Sequence, residues 1–224
     1  MTFPKRVEKW RQEVRRQLHE MGIPLPENLV LALMQTESGG VAGNTNKKSG
    51  ASGLLQVMPN TLKWYDKQTG DNVTLSDMRS TSGGESQIRV GLWVLWQFWK
   101  SAYRYLRKRL EDIPVIELAK VADLFYVAGP GGARGHLDKC SMPFFSYAEA
   151  KFPRWNALPH PRNVFRRLPS DTVWNLDAIS TGLEGELQRS IKTRNNAGIL
   201  IIATLAVYWL YLRKRKTTNA KKEE

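Results

Sequence analysis

The stretch ENLVLALMQTES, residues 27–38, is apolar on nearly every side of the helix it would form, with Pro26 before it and Gly39-Gly40 behind it. Proline opens helices and glycine closes them. A helix that is apolar all round belongs in an interior, so the rest of the chain must pack around this one. The material is present: 42% of the 224 residues are hydrophobic, enough for one domain with a real core. Helical spacing recurs elsewhere. Val7, Trp10, Val14, Leu18 and Met21 follow at steps of three and four and stop at Gly22 and Pro24. A further helix starts around Pro59-Asn60-Thr61 and carries Leu62, Trp64 and Tyr65, then gives way to the turn-rich KQTGDN. Glu85 to Arg109 reads as a long helix with Ile88, Leu92, Leu95 or Trp96, and Trp99 on one face and basic last turns. Pro114 to Ala128 reads as another, stopped by GPGG. No period-two alternation is sustained and no internal repeat occurs, which predicts a mainly α fold.

After Phe152 the texture changes. Pro153, Pro159, Pro161 and Pro169 among several arginines predict an irregular, extended segment, and 170–194 reads as a stalk with some helix. From Asn195 to Leu212 no charge occurs over 18 residues. As a helix that stretch would be roughly 27 Å long, the thickness of a bilayer core. Tyr208, Trp209 and Tyr211 lie near one end, and Arg213-Lys214-Arg215-Lys216 follows at once, as at a membrane interface. The expected organisation is a domain at 1–152, a Pro/Arg-rich segment and stalk at 153–194, a transmembrane helix at 195–212 and a basic tail at 213–224. Six basic residues follow the span, against Arg189, Lys192 and Arg194 before it. That places the tail inside and the domain outside.

The net charge is +13, of which +5 falls from Arg194 onward and +8 before it. A basic surface suits nucleic acid, anionic lipid or an acidic wall polymer. No nucleic-acid motif accompanies it, so no specific nucleic-acid partner is expected. Cys140 is the single cysteine, which excludes an intramolecular disulfide. His136 four residues before it makes two candidate ligands, too few for a metal site; no metal and no cofactor are expected.

Leu29, Leu33 and Glu37 lie four apart, on one helix face. Glu37 thus continues an apolar stripe and ends the helix, where the dipole is negative. Desolvation and dipole both disfavour the carboxylate and raise its pKa, as a general acid requires. The segment alone equally allows Glu37 to fray into water. The second motif, SGASGLLQVMP at residues 49–59, favours the acid. Its small residues let backbone pack closely, and Gln56 is a neutral group that both donates and accepts hydrogen bonds.

Four blocks in order carry a family resemblance. They are ESGG after the apolar helix, SGASGLLQVMPNT, SQIRVGLWVL with Ile88, Gly91 and Leu95, and LFYVAGPGG at 124–132. Over about residues 20–135 the chain resembles the lytic transglycosylases, the peptidoglycan-cleaving branch of the lysozyme superfamily. Their signature runs ES, GLMQ with a trailing MP, I-x-x-G-x-x-x-L, and AYNAGPG. The resemblance implies a mainly α, lysozyme-like transglycosylase domain, here with a C-terminal transmembrane helix. By the same correspondence Glu37 is the catalytic acid/base, and Ser38, Gln56, Met58 and Tyr126 are substrate-binding. Leu55 stands for the methionine of GLMQ, Gln87 for an asparagine before the isoleucine, and Val127 for the asparagine after the tyrosine. That last change puts substrate affinity or rate in question.

The implied reaction cleaves the β-1,4 bond between N-acetylmuramic acid and N-acetylglucosamine with a single glutamate, and closes an anhydromuramoyl end. No second acid lies in the blocks beside Glu37. Asp66, Asp71 and Asp77 in a nearby loop keep a water-using muramidase open, and a wall-binding module with little turnover is the reading of another class. Trp93, Trp96, Trp99 and Tyr103 either line a sugar groove or pack in the core. The expected partners are peptidoglycan strands, a membrane through 195–212, and other virion or envelope-complex proteins. The N-terminus, MTFPKRVEKWRQEVRRQ, has no secretory h-region. A catalytic domain that must face the wall is then expected to arrive from outside, as a bacteriophage virion component acting during genome delivery. An unusual export route in a cell-encoded apparatus is the alternative.

Overall fold

The computed structural model describes residues 2–185 except Glu111, Met142 and Pro153, together with residues 188–189. Its helices are α1 (Lys5–Glu8), α2 (Arg11–Glu20), α3 (Glu27–Glu37), α4 (Pro59–Thr69), α5 (Leu75–Arg79), α6 (Gly84–Leu106), α7 (Val115–Leu137), α8 (Phe144–Lys151) and α9 (Pro159–Arg167). The fold is mainly helical, and among the described residues extended pairing is limited to isolated bridges, Thr45 with Ser52 and Ser52 with Val57.

The central helix is α3. Six successive residues, Leu29 to Met34, are buried, as apolarity on all sides requires. It packs against α1, α2 and α9, while α6 packs against α2, α4, α5 and α7. Glu27 at the start of α3 is held by Arg11 at 2.5 Å and Arg15 at 2.8 Å from α2. Glycines set the close approaches. A Cβ on Gly40 would lie 2.5 Å from the Arg6 carbonyl oxygen, and one on Gly84 would lie 2.2 Å from the Trp10 ring.

Three elements differ from the sequence expectation. The single helix over 5–21 is broken at Lys9-Trp10 into α1 and α2, and the Trp10 indole N–H donates to the Gly40 carbonyl at 3.0 Å. The loop expected to hold Asp77 contains α5, opened by a reciprocal capping box between Thr74 and Asp77. The helix expected to stop at GPGG bends at Gly129 (φ 69°, ψ 155°), and Pro130 starts a second helical piece that runs to Leu137.

The Pro/Arg-rich segment also departs from expectation. Pro159 and Pro161 open α9, a helix that packs on α3 and α7. Proline is well tolerated in a first helical turn, where its missing N–H costs nothing. The compact unit therefore runs from Met1 to Gly182, past the boundary that composition places at 152. A second unit begins at Leu183, and the uncharged stretch 195–212 lies outside the described residues. Among the described residues no helix is long and apolar enough to cross a membrane.

Candidate active site

Glu37 is the last residue of α3, and the turn Gly53-Leu54-Leu55-Gln56 is fixed beside it by side chains from three helices. The Ser38 hydroxyl, just past α3, donates to the Leu54 carbonyl at 2.8 Å and accepts the Gly40 N–H at 3.1 Å. From α6, Gln87 is fully buried. Its Oε1 accepts the N–H groups of Gly43 (3.2 Å) and Leu54 (3.1 Å), and its amide nitrogen donates to the carbonyls of Asp77 (3.1 Å) and Ser80 (2.7 Å). From α7, the Tyr126 hydroxyl donates to the Leu55 carbonyl. The Leu54 N–H and the carbonyls of Leu54 and Leu55 thus each find a side-chain partner, as burial demands.

Gln56 stands at φ 46°, a left-handed conformation that costs a non-glycine residue on the order of 1 kcal/mol. The Gln56 amide nitrogen donates to the carbonyls of Asn44 (2.9 Å) and Gly53 (3.0 Å), which locks the side chain and, among the described residues, leaves its Oε1 for another donor. Met58 is 43% exposed. Ser38 is buried and its hydroxyl is spent inside the protein, so of the sequence-selected residues it builds the turn while Gln56 and Met58 keep a free edge. Val127 is 41% exposed. Gly91 of the third block has a packing reason: its Cβ would lie 2.3 Å from Leu55 Cδ1.

Two residues the sequence reading did not select complete the site. His160, in the first turn of α9, lies with Nδ1 2.8 Å from Asp123 Oδ2 and Nε2 2.9 Å from Glu37 Oε1. The contact to Asp123, on α7, is a directed hydrogen bond. The contact to Glu37 is at ion-pair distance, but Nε2 is buried without a well-directed hydrogen bond. The Glu37, His160 and Asp123 side chains are 17%, 16% and 6% exposed. Asp123 is thus a second acid near Glu37, supplied from outside the four blocks. It lies one residue before the fourth block, and nothing in its local pattern marks it. His160 lies in a stretch read as irregular; only a helical reading of LPHPRNVFRR would have brought it to α3.

Electrostatics follow from burial. Glu37 is raised above its ordinary pKa, first by burial and further by the Asp123 charge, with His160 opposing. Asp123 is raised by burial, again opposed by His160. Burial alone would push the His160 imidazolium down. The hydrogen bond and charge of Asp123, together with the Glu37 carboxyl at ion-pair distance, outweigh it and hold its pKa at about 10. Burial, then the charges of Glu37 and Asp123, keep the Tyr126 phenol neutral well above its ordinary range.

The loop aspartates are used locally. Asp66 accepts the Val73 N–H at 3.0 Å, Asp71 accepts the Tyr65 hydroxyl and pairs with Arg89 at 2.9 Å, and Asp77 closes the α5 capping box. Trp96, Trp99 and Tyr103 are core. Trp93 is partly buried, its ring edge-on to Trp64 at 4.6 Å and Tyr65 at 5.3 Å. The His136 ring stacks on Trp155 at 4.2 Å and Cys140 donates to the His136 carbonyl. Among the described residues no cluster of three or more His, Cys, Asp or Glu could hold a metal ion.

Residues 20–120 match the family model described as the transglycosylase SLT domain. The match supports a lytic transglycosylase-like lysozyme fold and an enzyme that acts on peptidoglycan. It covers Glu37, Ser38, Gln56, Met58 and Gln87 and stops short of Asp123, Tyr126 and His160. No curated protein matches the chain.

Proposed function

We propose that the chain is a lytic transglycosylase that cleaves the bond between N-acetylmuramic acid and N-acetylglucosamine and closes an anhydromuramoyl end. The observation that carries the reading is Glu37, a carboxyl at the end of a buried helix with its pKa raised by burial, beside a turn tied to three helices. A carboxyl that holds its proton above the usual range can give it to the glycosidic oxygen as the bond to the leaving sugar breaks. The carboxylate so formed takes a proton back from the muramoyl primary hydroxyl as that oxygen closes on the anomeric carbon, and no water is consumed. The substrate's own acetamido group covers the anomeric carbon between the two steps. Gln56 Oε1 and the exposed Met58 offer one hydrogen-bond acceptor and one apolar contact to the glycan; Tyr126 holds the turn in place.

A hydrolase pairs two carboxylates across the bond. Asp66, Asp71 and Asp77 are committed to local bonds, and Asp123 is buried against His160, which weighs against a second catalytic acid. The test is digestion of purified peptidoglycan by the chain and by Glu37→Gln, with mass spectrometry of the released muropeptides. Anhydromuramoyl ends lost in the variant are expected. Reducing ends heavier by one water would make the enzyme a muramidase, and binding without release would make it a wall-binding module. The same proposal includes a membrane anchor at 195–212, checked by partition of the chain into liposomes with and without that segment. It also includes delivery with a bacteriophage particle, checked by probing purified virions for the chain.

A further inference from the structure

The arrangement around His160 contains more than a single acid needs. Glu37 passes through two states, a neutral carboxyl that gives a proton and a buried carboxylate that must take one back. The first state is stable only if no strong positive charge faces it. The second is stable only if one does, because a buried lone carboxylate is strongly disfavoured. The Asp123–His160 pair meets both demands. Its directed hydrogen bond, Nδ1 to Asp123 at 2.8 Å, commits the ring's charge to Asp123, so that the pair is neutral overall. Its other nitrogen, buried and without a directed partner, stands 2.9 Å from Glu37 Oε1.

Resting on the reading of Glu37 as acid and then base, we propose that His160, seated on Asp123, is a positioning residue that supports the Glu37 carboxylate formed after the first proton transfer. The imidazolium keeps its own proton throughout. The proton Glu37 gives to the glycosidic oxygen is replaced by the one from the muramoyl hydroxyl, so the ring is unchanged over the cycle. The other ionisable groups around the pair are few. From α3 there is Glu37; from α7, Asp123, Tyr126 and, farther along, Lys120 beneath Phe165 of α9 at 5.8 Å. On α9 itself are Arg162, Arg166, which bonds Asn163, and Arg167, whose guanidinium reaches the Thr36 hydroxyl at 3.4 Å. The ring's elevated pKa of about 10 has only Asp123 and Glu37 behind it, which agrees with the geometry.

Two measurements on the full chain test this. In the first, the ring carbon and nitrogen resonances of His160 are followed by NMR from pH 6 to 9 in the wild type and in Asp123→Asn. The wild-type ring is expected to stay an imidazolium across the range. The variant ring, which keeps a hydrogen-bond acceptor but loses the charge, is expected to titrate nearer the ordinary value of about 6.5. In the second, the rate of anhydromuramoyl release is measured against pH for the wild type and His160→Gln. With the cation gone the Glu37 carboxylate is less supported. The variant's turnover is expected to fall at least tenfold with KM within threefold, and the alkaline limb of its profile to move to higher pH. A neutral ring at pH 7 in an active wild type overturns the proposal alone. So does a His160→Gln profile that keeps the wild-type shape and loses rate only in proportion to folded protein, which is what a purely structural role would give. A wild type that releases no muropeptide overturns the enzymatic reading, and this proposal with it.

Discussion

Gln87 makes four hydrogen bonds from a fully buried position, and Gln87→Leu removes all of them at nearly constant volume. The two carbonyls have other partners: Asp77 O also accepts the Ser80 N–H and Ser80 O the Gly83 N–H, both at 3.3 Å. The N–H groups of Gly43 and Leu54 bond only Gln87 among the described residues. Each unsatisfied buried group costs about 1–3 kcal/mol, so the substitution is expected to cost about 2–6 kcal/mol. At about 2–4 °C per kcal/mol for a chain of this size, the melting temperature should fall by at least about 4 °C. Urea unfolding should show the same loss as a lower midpoint with an unchanged slope. The damage is directed, because Leu54 is also the acceptor for Ser38 beside Glu37. Peptidoglycan release under conditions where the variant stays folded should therefore fall as well. A melting temperature within about 1 °C of wild type would refute the reasoning, since it would mean that the two N–H groups find water or other partners at no cost.

Gly91→Ala would place a methyl 2.3 Å from Leu55 Cδ1 and 2.7 Å from its Cβ; such overpacking is expected to cost about 1–3 kcal/mol, read from urea midpoints, and an unchanged midpoint counts against it. Stability should also fall as pH rises from about 7 to 10. His160 is protonated up to about pH 10 in the folded chain and to about 6.5 when unfolded, so its contribution is full below about 6.5 and lost through 10. Glu37 and Asp123, both raised, act in the same direction from their ordinary values upward, and a urea midpoint that is flat or rising over that range would contradict the assignment. Val127 is 41% exposed, so Val127→Asn should leave stability within about 0.5 kcal/mol. If the family asparagine contacts the glycan, peptidoglycan release by that variant should rise above wild type in a turbidity assay.

The central helix was legible because apolarity on every side leaves a helix no other place. Glu37 was legible because its spacing from Leu29 and Leu33 joins a charge to an apolar stripe. The small residues of 49–59 carry the close approach that the structure shows at Gly53, where a Cβ would lie 3.0 Å from the Gln87 side chain, whereas no local pattern marks the close approaches at Gly40 and Gly91. What could not be read were contacts between distant segments. Gln87 looked like a mild substitution, and only its four partners, Gly43, Leu54, Asp77 of α5 and Ser80, show what it holds. Trp10 broke a regular periodicity because its indole meets Gly40 and Gly84, residues thirty and more positions away. His160 was hidden by composition: prolines and arginines read as irregular chain, yet proline in a first helical turn is compatible with α9.

The cause of the raised Glu37 pKa also changes between the two descriptions. From sequence, the negative helix terminus and the apolar stripe supply it. In the folded chain burial is the larger cause, and part of that burial comes from α9, which lies across α3 and places His160 at the carboxyl. The segment matching the SLT domain ends at residue 120 and contains the acid and its turn. The groups that set the acid's charge state, Asp123 and His160, come later in the chain, the latter on a helix that composition assigns to a linker. The position of the carboxyl and the groups that tune its charge are thus encoded in different parts of the sequence: Asp123 adds to the rise in the Glu37 pKa and His160 opposes it. α9 therefore acts on Glu37 in two opposed ways: packing on α3 adds burial, which raises its pKa, and His160 supplies a cation, which lowers it, so the charge of the carboxyl is a balance set by segments far apart in the chain.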